Sequence, residues 1–120
     1  MSDEAAIRRS LKIKTGIVKR LTKESNVYRK EIGDLRAKAE QSKALGEDSW
    51  EAKNARNLVN ETIKTLGLTN GKLKDETAKL RDLLETVEND ERIKGDESLD
   101  EAKLAVEAAE VSLEAEAKDE

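Results

Sequence analysis

Apolar side chains recur every seven residues along most of this chain. In the first stretch, Leu11, Val18, Ser25, Ile32 and Ala39 form one line. Lys14, Leu21, Tyr28, Leu35 and Ser42 form a companion line, which Ile7 extends by one heptad. Such spacing keeps a stripe on one side of an α-helix, as a coiled-coil seam does. Only Gly16 and Gly33 interrupt the pattern, so it predicts a helix over about 4–45, ~60 Å long at 1.5 Å per residue. A second stretch is more regular. Ala52, Val59, Leu66, Leu73, Leu80 and Val87 are all apolar and spaced by seven, with Ala55 and Leu83 on the companion seam, which predicts a helix over about 49–90. Its weak place is Leu66–Gly71, where two glycines each cost ~1 kcal/mol relative to Ala. A bend or local fraying is expected there, and not a domain boundary or a hairpin at Asn70-Gly71, because the seam keeps one register on both sides. Leu99, Ala102, Val106, Ala109 and Leu113, spaced by three and four, predict a third, Ala-rich helix over about 97–115.

The breaks between these stretches are short. Gly46 suits the residue just past a helix end, and Asp48 with Glu51 reads as a capping box for the second helix. The run 89–96 reads as a polar connection, with Gly95 as the stop and Asp96 or Ser98 starting the next helix. Three periodic segments joined by tight turns predict an all-α fold. The expected form is an elongated three-helix antiparallel bundle, up-down-up, with coiled-coil-like packing, in one domain spanning 1–120. Disorder, which the composition also suggests, is expected only at Met1–Glu4 and Glu114–Glu120.

Composition narrows the chemistry. Of the 120 residues 42% are charged, and the chain has no Cys, no His, no Pro and no Phe. Disulfides, thiolate sites and the commonest general base and metal ligand are therefore ruled out, so no enzyme and no cofactor is expected. The many Asp and Glu residues have no His or glycine-rich cradle beside them and read as solvated faces. No run approaches the ~18 apolar residues of a membrane span, and the start carries no secretory signal, so a cytoplasmic protein without membrane attachment is expected.

The net charge of −4 is unevenly spread: residues 1–45 carry 12 basic and 6 acidic side chains, whereas residues 96–120 carry 2 and 10. A basic stretch could point to nucleic acid, but Tyr28 is its only aromatic residue and the chain is acidic overall, so no nucleic acid partner is expected. Attraction between a basic first helix and an acidic last one would instead fix which helices are neighbours.

The outward positions of the first helix hold Lys12, Ile13, Gly16, Lys19, Arg20, Lys23, Val27 and Lys30, two apolar side chains among bases. That surface suits an acidic partner with apolar contacts. Each residue also has a plainer reading: a single lysine keeps a helix soluble, Ile13 and Val27 could belong to a wider core, and Gly16 could be a tolerated defect. Trp50 reads either as a staple across the turn or as an anchor for a partner. Lys14, on a seam, reads as a register device or as a side chain that snorkels out.

The string LKIKTGIVKRLTKE at 11–24, followed by Tyr28 and Glu31, is similar to the first helix of the tubulin-folding cofactor A family. Asp100-Glu101-Ala102-Lys103-Leu104 resembles that family's third-helix signature, whereas the middle helix matches in pattern more than in letters. Relatives often carry a proline inside the second helix, near where Leu66-Gly67 stands here. The resemblance implies a β-tubulin chaperone, associated with the cytoskeleton, that captures quasi-native β-tubulin after chaperonin release and before α/β heterodimer assembly, without nucleotide or metal. A monomer is expected, with a homodimer as the variant. The alternative is a structural coiled-coil or oligomerisation module built on the Ala52–Val87 seam.

Overall fold

A computed structural model describes the backbone of residues 3–119 and the side chains of residues 3–115. It contains three α-helices, α1 (Glu4–Ser42), α2 (Trp50–Val87) and α3 (Glu97–Asp119), with a 3-10 turn at Lys43–Leu45 and no strand among the described residues. The sequence-based expectation of an all-α, three-helix fold is realised. Asp3 starts α1, its carboxylate accepting the Ala6 amide at 2.7 Å. Terminal disorder was expected up to Glu4 and from Glu114, yet Glu4 and residues 114–119 are helical; Met1, Ser2 and Glu120 lie outside the described residues.

The turns differ from expectation in detail. The α-helix stops at Ser42 and tightens into the 3-10 turn, and the chain reverses at Gly46, whose φ of 114° no ordinary side chain adopts without strain. Ser49, not Asp48, caps α2: its hydroxyl accepts the Ala52 amide at 3.2 Å. A serine one position later reaches the first turn, so Asp48 is left exposed in the loop. At the other end α2 stops at Val87, and Gly95, at φ 81°, leads into Asp96, whose carboxylate accepts the Ser98 amide at 2.9 Å and caps α3.

Contacts group the chain into two compact units: residues 1–23 with 70–120, and residues 24–69. The second boundary, between Thr69 and Asn70, falls inside the glycine-flanked stretch Leu66–Gly71. That stretch is helical throughout and does not fray.

In the first unit the opening part of α1, the closing part of α2 and α3 pack together. Leu11, Val18 and Leu21 meet Leu73, Leu80 and Leu84, and α3 adds Leu99, Ala102, Val106 and Ala109. Each fully buried leucine contributes roughly 1.5–3 kcal/mol, while the small residues of α3 allow close approach and contribute less. Ile93, in the connection read as polar, is 1% exposed and plugs this core. It escapes a periodic reading because it belongs to no helix. Leu84 rather than Leu83 is the buried companion at the end of α2, with Leu83 only partly covered. A straight α-helix drifts by ~20° per heptad against a strict seven-residue repeat, so a companion line begun at Ala55 is displaced by about one residue there.

The second unit is a helical hairpin with a small core of Ile32, Val59 and Leu66, against which Tyr28 and Leu35 pack. Trp50 staples nothing, being 72% exposed.

Candidate functional surface

Between Ala5 and Lys23 the sequence has seven Lys and Arg and no acid. Burial of Ile7, Leu11, Val18 and Leu21 fixes which way this part of α1 faces. The opposite side then carries Lys12, Ile13, Gly16, Lys19, Arg20 and Lys23, all exposed. At 3.6 residues per turn these six fall within an arc of ~120°. Ile13 is 57% exposed, which removes the reading that placed it in a wider core. Gly16 sits amid this arc with no atom within 4 Å of a Cβ built on it, so nothing in the described chain requires a glycine there. In the second unit Val27, 54% exposed, and Lys30 lie on the continuation of α1. All eight residues singled out in the sequence therefore reach solvent. Lys14 is half-buried.

The bases of this face are not used internally. Among the described residues Lys12, Lys19, Arg20 and Lys23 form no ion pair, and Arg8 supplies the link between the basic first helix and the acidic end of the chain. Its guanidinium donates to Asp96 at 2.6 Å and pairs with Glu4, which raises its pKa. On α3, Glu110 pairs with Arg81 of α2 at 2.9 Å. The expected attraction between first and last helix takes the form, at their starts, of this Arg8–Asp96 bridge.

Sequence reasoning missed other exposed apolar positions. Leu104 and Val111 are 64% and 66% exposed on α3, and Leu68 stands out on α2. The signal was available: Leu104 and Val111 are spaced by seven but fall off the 99/102/106/109/113 line. The seam of α2, by contrast, is consumed within the chain, since Ala52, Val59, Leu66, Leu73, Leu80 and Val87 are all buried. No helix among the described residues is long and apolar enough to cross a membrane.

The family model for tubulin binding cofactor A matches residues 6–106. The chain belongs to the tubulin binding cofactor A family. It is similar to tubulin-specific chaperone A of Bos taurus, 33% identical over 107 residues that cover 89% of this chain and 94% of the bovine protein. The Homo sapiens protein of the same name is 32% identical with the same coverage. Tubulin-folding cofactor A of Arabidopsis thaliana is 32% identical over 98 residues, 82% of this chain and 86% of the plant protein. No solved structure matches significantly. The matched range contains all eight residues singled out on α1, from Lys12 to Lys30.

Proposed function

We propose that this chain is a β-tubulin chaperone that captures quasi-native β-tubulin before it pairs with α-tubulin. The observation that carries this reading is the family match over 6–106, joined to relatives whose names state a tubulin-specific chaperone. The exposed side of α1 supplies the chemistry. Lys12, Lys19, Arg20 and Lys23 speed encounter with an acidic partner, Ile13 and Val27 give apolar contact, and Gly16 lets backbone come close. Lys30 extends the basic character beyond Val27.

The mechanism is stoichiometric shielding. Helix surface covers apolar and strand-edge surface of incompletely assembled β-tubulin, and release follows when another binder competes for it. No catalytic step and no nucleotide enters. The protein acts as a cytoplasmic monomer, one functional domain, associated with the cytoskeleton through its client. The buried α2 seam speaks against the coiled-coil alternative, because that stripe is already covered by the chain itself.

Co-purification from tubulin-containing cytosol tests the proposal. The chain should retain β-tubulin and not α-tubulin, and the triple change Lys19→Glu, Arg20→Glu and Lys23→Glu should abolish retention while leaving helicity intact. Absence of binding at micromolar concentration refutes it.

A further inference from the structure

Near the turn of the second unit, α1 and α2 do not close fully on one another. The residues that face each other there, Ala39 and Val59, are small and buried, and a groove of about 390 Å³ opens above them. That volume lies at the lower end of the range for ligand sites, ~300–1,000 Å³.

The walls are cationic. Arg36 and Lys43 line the groove from the α1 side and Arg56 from the α2 side, against Glu40 as the one carboxylate. Glu40 is engaged with Lys43 at 3.2 Å. Arg56 gives one nitrogen to the Glu47 carbonyl at 2.9 Å and keeps its other donors. Arg36 has no hydrogen bond or ion pair among the described residues. Guanidinium groups present paired donors in a fork that matches a carboxylate, and they hold it more strongly beside an apolar, partly water-excluded floor. Hairpin stability does not account for the unmatched charge, since an exposed base contributes little to it.

We propose that this groove binds an acidic peptide segment, with a carboxylate between Arg36 and Arg56 and an adjoining aliphatic side chain lying on Ala39 and Val59. Free phosphate has the charge but nothing to cover the floor. A nucleic acid strand would want an aromatic platform, and none lines the groove. The inference goes beyond the tubulin reading and does not rest on it: loss of β-tubulin co-purification leaves groove affinity unchanged.

The test titrates the full chain at low salt with a short peptide of alternating Glu and Leu, and separately with inorganic phosphate, following backbone amide NMR shifts. The expected result is saturable shifts centred on Ala39, Val59 and Asn60, with the peptide at least about tenfold tighter than phosphate. Arg36→Gln and Arg56→Gln should each weaken peptide binding about tenfold, the size of one charged hydrogen bond. Ala39→Met fills the floor without changing charge and should remove binding while circular dichroism stays the same. If that variant loses helicity, the two arginine variants decide alone. Shifts spread along Lys12–Lys23, phosphate as tight as peptide, or affinity unchanged in both arginine variants would overturn the proposal.

Discussion

Arg8 on α1 and Asp96 at the head of α3 meet at 2.6 Å although 88 residues separate them in sequence. Asp96 caps α3 through the Ser98 amide and also receives the Arg8 guanidinium, so one carboxylate sets both the start of a helix and its neighbour. Asp96→Ala should lower the thermal midpoint by ~5 °C, the usual effect of a lost cap in a domain of this size. Asp96→Asn keeps a capping oxygen and should lower it less. Melting followed by circular dichroism separates the two.

Stability should fall at low pH through a defined pair of groups. Donation by the Ser98 amide, then by Arg8 and the Ser98 hydroxyl, holds the Asp96 carboxyl at about 2, against an ordinary 3.8. Asp90 is held at about 2 mainly by the side chain of Arg92 and then by its amide. Both are depressed, so between these values the unfolded chain binds more protons than the folded one. Their contribution is full above the ordinary value and disappears as pH drops toward 2. Denaturation midpoints measured from pH 6 to 2 should show this loss, and the double change Asp90→Asn with Asp96→Asn should flatten the curve.

Leu80 is fully buried in the first unit, whereas Leu68 stands in solvent. Leu80→Ala should cost about 2–5 kcal/mol, and Leu68→Ala less than about 0.5 kcal/mol, in chemical denaturation. Equal costs would contradict the packing described.

Thr77 is 1% exposed and its hydroxyl has no partner among the described residues. Thr77→Val has the same shape without the unsatisfied oxygen, so it should stabilise the protein by ~1 kcal/mol. A loss of stability in denaturant would mean that the hydroxyl is engaged.

Gly16 separates helix formation from partner binding. With open space around it, Gly16→Ala should stabilise α1 by ~1 kcal/mol. If β-tubulin approaches there, the same change should weaken co-purification even as the midpoint rises. A more stable variant that binds as well as before would remove Gly16 from the surface proposed above.

Much of this was legible because seam residues obey a single spacing. Leu11, Val18, Ser25, Ile32 and Ala39 are all buried, including the serine, whose chemistry alone would have placed it outside. The eight surface residues on α1 followed from the same phase, since solvent faces whatever the seam does not. What escaped has no spacing to betray it. Ile93 sits in a loop, the Ser49 cap depends on one residue of turn length, and Thr15, Thr69 and Thr77 are buried polar residues that a hydrophobic pattern scores as exposed. The groove at Arg36 and Arg56 joins residues from two helices across a turn, so it exists only once the hairpin is closed.

The placement of Trp50 makes the molecule its own instrument. As the sole indole, already wet in the native state, it should emit like an unfolded tryptophan and report poorly on melting. Any protein that lands near the hairpin turn would dry it and shift its colour toward the blue, so contact there can be seen by light without attaching a dye.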